Sequence, residues 1–237
     1  MFNSIELVGL TGTIDAIGSL GIALKIWLAY RKSRNMAHLY FTLFYLYLGL
    51  FFLMFATSQL FFSSGIIIGI CSVLGYFCLY LGLGYLMGFP YLLTDRRDDA
   101  ILVLRLMIVY NVIFFLMRII FFEPSVREIF PAYVYWRSVF PSWLRVMTGI
   151  IGCVATGSAA YMLFGYAFEH KEDKFLYYKT LWLASGSSLL VIASLLGFIA
   201  APTGSAPFVI AATFMVLAGL IITFRGVLYQ PPKVLEI

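Results

Sequence analysis

Charge is scarce in this chain, and histidine scarcer still. Among 237 residues there are 16 Lys and Arg, 11 Asp and Glu, and only two His, so 11% of positions are charged while 62% are hydrophobic. The net charge is +5, yet the basic residues are spread over the ends of the apolar stretches rather than gathered in one patch, so no nucleic-acid partner is expected. Both histidines, His38 and His170, fall at the ends of apolar stretches. That excludes a bis-His haem, a His-ligated pigment or a metal centre deep within the apolar runs. The last apolar run contains no Lys, which excludes a retinal Schiff base there, and Lys25, near the end of the first run, is placed to snorkel to the interface. No His-Glu zinc motif, phosphate-binding loop or Gly-x-Ser-x-Gly elbow occurs. The expectation is therefore a protein that is not an enzyme, with no catalytic residue, no metal and no cofactor. The three cysteines, Cys71, Cys78 and Cys153, lie inside apolar runs, an odd set read as small packing residues rather than disulfides.

Seven long apolar runs fill the space that charge leaves. They are residues 7–30, 40–62, 66–92, 101–122, 144–168, 181–201 and 208–228, and the mean hydropathy of the chain is +0.97. A helix needs roughly 20 apolar residues to cross a hydrocarbon core of about 30 Å. These runs are continuously apolar, unlike the alternating strands of a membrane barrel. In lipid the backbone must satisfy itself internally. The fold class expected is all-α, a single polytopic bundle of seven transmembrane helices spanning residues 1–237. The opening MFNSIELVGLTG lacks a basic stretch and a small-residue cleavage site, so the first span reads as retained.

The few charges are unevenly placed. Lys25, Arg31, Lys32, Arg34, Arg96, Arg97, Arg105, Lys171, Lys174, Lys179, Arg225 and Lys233 fall towards one side of the alternating spans, and Arg118, Arg127, Arg137 and Arg145 towards the other. By the positive-inside rule the N-terminus lies outside and the C-terminus in the cytoplasm. The expected location is an integral membrane protein of a prokaryotic cytoplasmic membrane. Its partners are the lipid bilayer and, as candidates, other membrane subunits, with no nucleic acid.

Two connections, residues 63–65 and 202–207, are short enough to make helical hairpins of spans two and three and of spans six and seven. Pro90 is expected to kink or end span three, and TDRRDDA at 94–100 reads as a solvated charged turn. The longest connection, 123–143, mixes charge with Phe130, Tyr133, Tyr135, Trp136, Phe140 and Trp143. Aromatics of this kind favour the headgroup level, so a short amphipathic segment on the outer interface is expected, with a lid over an outward-facing cavity as the alternative.

Spans one, three, five, six and seven are rich in Gly, Ala and Ser, which let helices approach closely. Spans two and four are bulky and aromatic, and are expected to face lipid or a partner. Spans one to three and five to seven also match loosely in hydropathy and charge, a three-plus-one-plus-three arrangement known among transporters.

One carboxylate stands out. Asp15 sits about eight residues into span one, roughly 12 Å deep at 1.5 Å per residue, with Thr11 and Ser19 one turn to either side. An ionisable residue at that depth is a functional candidate by default. Asp15 either carries a proton or is ionised against a cation, with Arg118 and Arg145 placed to reach it. Asn111 is the other buried polar group. Thr11, Asp15, Ser19, Asn111, Arg118 and Arg145 thus form the candidate polar site. It serves as interhelical hydrogen-bond glue, as a solute or proton site, or as a partner contact. Tyr76, Tyr80 and Tyr85, deeper than the other tyrosines, either line a cavity or pack on the glycine faces.

The connection YRKSRNMAHLYF, leading into an aromatic second span, resembles the seven-helix N-terminal sensor module of bacterial histidine kinases across the whole chain. That resemblance implies an outside N-terminus and a signalling role. Arg31-Lys32-Ser33 after span one, with the span number and chain length, is similar to SWEET and PQ-loop transporters, which implies a solute carrier. Neither resemblance carries over site residues. The leading expectation is a sensor-like or accessory subunit acting through helix contacts with membrane partners. The competing one is a small-solute transporter using Asp15 and its polar neighbours.

Overall fold

The computed structural model describes residues 5–200 and 205–229. Seven helices in it are long and apolar enough to cross a membrane, so the chain is a multi-pass integral membrane protein of the all-α class. They follow the order β1 (Ile5–Glu6), α1 (Leu7–Ser33), α2 (Met36–Phe55), α3 (Thr57–Phe61), α4 (Gly65–Leu93), α5 (Arg97–Ile120), β2 (Val126–Ile129), β3 (Tyr133–Arg137), α6 (Ser142–Glu169), α7 (Lys174–Ser194) and α8 (Ala206–Leu228). The second span is α2 continued by α3, and the sixth is α7 continued by a π-helical turn at Leu195–Ile199. Ala201 and the first part of the 202–207 connection lie outside the described residues, as does Lys233.

Local sequence sets the helix ends. Asn35 caps α2, its Oδ1 accepting from the Ala37 N–H at 2.8 Å, and Asp173 caps α7 by accepting from the N–H groups of Phe175 and Leu176. Arg34 takes a left-handed φ of 54° to end α1, its N–H returning to the Tyr30 carbonyl at 2.7 Å. Pro90 falls in the last turn of α4, which ends at Leu93. The expected charged turn at 94–100 is shorter, because α5 begins at Arg97; Arg96, before it, pairs with Asp99 in the first turn of α5 at 2.7 Å, and both side chains are exposed, so the pair contributes little to stability.

Six helices close a ring in chain order: α1 packs on α2, α2 on α4, α4 on α6, α6 on α7, α7 on α8, and α8 back on α1. The fourth span, α5, stands outside the ring and packs chiefly against α4. Of its most apolar 18 residues, 17% are buried, against 61% for the second span. The expectation that spans two and four both face outward therefore holds for α5 and fails for α2. Its aromatics fit the flat glycine surfaces of its neighbours. Gly75 of α4 faces Phe51, Gly82 faces Phe44 and Tyr47, and Gly12 of α1 faces Ala56 and Phe52. Large side chains on one helix and none on the next allow the close approach on which packing in lipid depends.

The 123–143 connection differs from the amphipathic segment expected of it. It is a β-hairpin, β2 antiparallel to β3 with Val126 opposite Arg137 and Ile129 opposite Val134. Backbone residues 5–6 add a third strand parallel to β3. Arg137 Nε donates to Glu128 Oε1 at 2.6 Å across the hairpin, and Trp136 Nε1 donates to Glu6 Oε1 at 3.3 Å. Burial pushes the Glu6 carboxyl up from its ordinary range, with the Trp136 hydrogen bond and Arg127 opposing. The sheet is anchored to α4 where the Ser125 N–H donates to the Gly65 carbonyl at 2.9 Å. A Cβ at Gly65 would meet the Ser125 carbonyl oxygen, so only glycine lets the hairpin's base lie this close.

Candidate functional site

The six candidate residues occupy separate places. Asp15 is fully buried, at 0% exposure, on a helix that packs against α2 and α8. Neither carboxyl oxygen has a hydrogen-bond partner among the described residues, and none of the described ion pairs includes it. The expected approach of an arginine to Asp15 is thus not made, because each arginine is held elsewhere in the bundle. Ser19 Oγ is likewise without a described partner. Thr11 does bridge helices, its Oγ1 lying 3.2 Å from Thr213 Oγ1 on α8. Asn111 Nδ2 donates to the Phe77 carbonyl at 3.0 Å, tying α5 to α4.

Arg118, near the last turn of α5, is 1% exposed. Its guanidinium carbon lies 3.7 Å from the Tyr76 ring centre and 4.5 Å from that of Phe140. Nη2 donates to Thr148 Oγ1 at 2.7 Å and to Tyr80 Oη at 3.3 Å. Thr148 gives its own proton to the Leu144 carbonyl at 2.8 Å. The 2.5 Å contact between Tyr80 and Thr148 therefore has Tyr80 as donor. Nε and Nη1 of Arg118 have no hydrogen-bond partner among the described residues. Arg145, at the start of α6, is 5% exposed. Its Nη2 donates to the Gly197 carbonyl at 3.0 Å, inside the π-helical turn, and its guanidinium sits 5.5 Å from the Phe198 ring. Burial pushes the nearby Tyr135 phenol up to about 12, and the Arg145 charge pulls the other way.

Inside the ring, α2, α4, α6, α7 and α8 line a cavity of about 90 Å³. Its walls are mostly aromatic and aliphatic, among them Phe51, Tyr76, Leu83 and Val216. The polar groups on it are Arg145, Thr148, Thr156, Ser194 and Thr213. At the opposite end of the bundle a larger cavity, about 250 Å³, is bordered by Lys25, Asn35, His38, Lys179 and Thr180. A third, about 430 Å³, lies along α4 and α6 beside Pro90, Tyr161 and Glu169. Asp15 lines none of these three.

Of the sequence candidates, Arg145 lines the central cavity and Arg118 lies one hydroxyl behind it through Thr148, while Asp15, Ser19 and Asn111 stand apart. Sequence reasoning missed the partners of the two arginines. Tyr80, Arg118 and Thr148 come from three helices, and nothing local joins them. The π turn LLGFI shows only Gly197 as a sign, yet it carries the carbonyl that Arg145 uses. Turns of this type are common at functional positions. Cys71, Cys78 and Cys153 are half-buried free thiols. Among the described residues no three of His, Cys, Asp and Glu cluster as a metal site would require. No known family model matches the chain. No curated protein sequence matches it either.

Proposed function

We propose that the protein is a sensor-like or accessory subunit that acts through helix contacts with membrane partners. The observation that carries this is the place of α5, a whole apolar helix outside the ring with Leu106, Val109, Ile113 and Leu116 turned outward. In lipid such a face gains little from burial as such, but a neighbouring helix can pack along its length. Arg118, on the same helix, couples α5 to α4 and α6. A displacement of α5 would thereby be felt at the ring's interior. The competing transporter function draws less support, because Asp15 reaches none of the described cavities. The uneven basic residues favour the hairpin end outside and the Lys25–Lys179 end in the cytoplasm.

A photo-crosslinking residue at Val109 or Ile113 in native membranes is expected to give discrete higher-mass protein adducts. The same residue at Ile17, an exposed position on α1, serves as the reference. Lipid adducts alone from α5, at the level seen from position 17, would overturn the partner-contact function.

A further inference from the structure

We propose that the cavity of about 250 Å³ at the Lys25–Lys179 end of the bundle is a binding site for a small phosphate monoester with an apolar body. Its walls come from all six helices of the ring, so it lies on the ring's axis rather than on a face turned to lipid. Two lysines line it, Lys25 from α1 and Lys179 from α7, and no described lining residue is acidic. Neither lysine takes part in a described ion pair, and Lys179 Nζ has only the Phe175 ring of its own helix, 5.4 Å away. Two ammonium groups on the walls of one cavity repel each other, and a bound anion turns that repulsion into attraction. Thr180 is a second, independent sign. It lines the same cavity, is 4% exposed and makes none of the described hydrogen bonds. A buried hydroxyl left unpaired costs free energy that a ligand oxygen restores.

The donor set selects the anion. Asn35 spends its Oδ1 on the Ala37 N–H, which leaves its Nδ2 to donate. With the two ammonium groups and the Thr180 hydroxyl this makes a set of point-like donors without an arginine among the lining residues. A planar carboxylate is best met by the guanidinium fork, whereas lysine binds phosphate as a point charge. A phosphate monoester carries about −1.5 to −2 at pH 7, which balances two lysines. Size and wall chemistry set the rest of the ligand. A cavity of about 150 Å³ accommodates benzene, so about 250 Å³ suits roughly ten non-hydrogen atoms in the same proportion. The phosphate group takes half of these. Phe41, Phe89, Leu163 and Leu183, all buried, give the cavity an apolar part for the other half, with the Phe41 and Phe89 rings stacked at 4.6 Å. A body of that size on the ring's axis belongs to a water-borne ester, since the two acyl chains of a phospholipid exceed it.

This names an input for the sensor-like function and goes beyond its partner contacts. Binding is read on the purified protein alone, so its failure would leave the α5 crosslinking result standing, and the reverse. In phosphatidylcholine nanodiscs at constant ionic strength, phenyl phosphate is expected to bind saturably, followed by its 31P resonance. Phenol and inorganic phosphate, each lacking one half of the ligand, are expected to bind about tenfold more weakly or worse. Lys179→Gln is expected to lose about tenfold in affinity with its melting temperature unchanged. Arg31→Gln, an exposed basic change outside the cavity lining, is expected to bind as wild type does. Ala29→Trp, at an exposed lining position, fills the cavity, leaves every donor in place and is expected to abolish binding. Phosphatidic acid added to the nanodiscs is expected not to compete, and competition by it would give the site to a lipid headgroup and overturn the water-borne ester. Phenol binding as well as phenyl phosphate, undiminished binding by Lys179→Gln or Ala29→Trp, or no saturable signal would each overturn the assignment.

Discussion

Gly186→Leu is expected to lower the stability of the bundle more than any other single glycine substitution in α7 or α8, by about 3 kcal/mol or more. Gly186 faces Gly219 across the α7–α8 contact. A Cβ at 186 would meet the Thr223 hydroxyl and, at 3.0 Å, the Gly219 carbonyl, while a Cβ at 219 would lie 3.1 Å from the Gly186 carbonyl. Backbone cannot turn aside as a flexible side-chain tip can, so the helices must separate. Overpacking in a core costs typically about 1–3 kcal/mol. Separation adds the loss of the close van der Waals contact that replaces the hydrophobic drive between helices in lipid. Gly21→Leu is the matched control. Nothing lies within 4 Å of a Cβ there, and replacing a helical glycine gains up to about 1 kcal/mol in propensity. Unfolding by titration with a denaturing detergent checks this, the Gly186 variant unfolding early and the Gly21 variant at or beyond wild type. Equal midpoints would contradict the packing described.

Arg118 gives the second large effect, and its sign depends on which substitution is made. Arg118→Lys is expected to cost about 2–4 kcal/mol, whereas Arg118→Met is expected to lie within about 1 kcal/mol of wild type. Lysine keeps the buried charge and its desolvation cost. It loses the flat guanidinium that lies between the Tyr76 and Phe140 rings at 3.7 and 4.5 Å, and it is more strongly hydrated. A cation–π contact away from water contributes about 2 kcal/mol, and a hydrogen bond from a charged donor about 1.5–3 kcal/mol. Methionine gives up the same contacts but also removes the charge. Burying an ion costs several kcal/mol, so the two changes nearly cancel, and Tyr80 and Thr148 still satisfy one another. Melting temperatures in the same detergent should rank wild type and Met together above Lys. A lysine variant more stable than the methionine variant would contradict this placement of Arg118.

Much of the bundle is legible from sequence because a membrane-length apolar run is a local signal, and each expected span overlaps one of the seven helices, with ends displaced by up to seven residues at the start of span six. What escapes is whatever depends on partners distant in the chain. The burial of α2 is one case: Phe44, Phe51 and Phe52 look equally suited to lipid, and only the glycines opposite them on α1 and α4 decide. The hairpin is another, since Val126–Ile129 is four residues long, carries two charges and is completed by residues 5–6 from the far end of the chain. At the site, Arg118, Arg145 and Asp15 are conspicuous in sequence as polar groups in apolar runs. Where each is held is a property of the ring's closure, which no single span encodes.

The central claim is a ring of helices that buries Asp15 fully and keeps it off the described cavities, and the orientation proposed from the basic residues puts the hairpin end outside. Cysteine accessibility tests it most directly. In a protein with Cys71, Cys78 and Cys153 replaced, single cysteines are placed at Asp15 and at Ser63, an exposed residue between α3 and α4. A membrane-impermeant thiol reagent added to whole cells is expected to label position 63 and to leave position 15 unlabelled, even after permeabilisation. Labelling of position 15 from either side would reveal a water path to mid-membrane and contradict this burial in favour of a transporter.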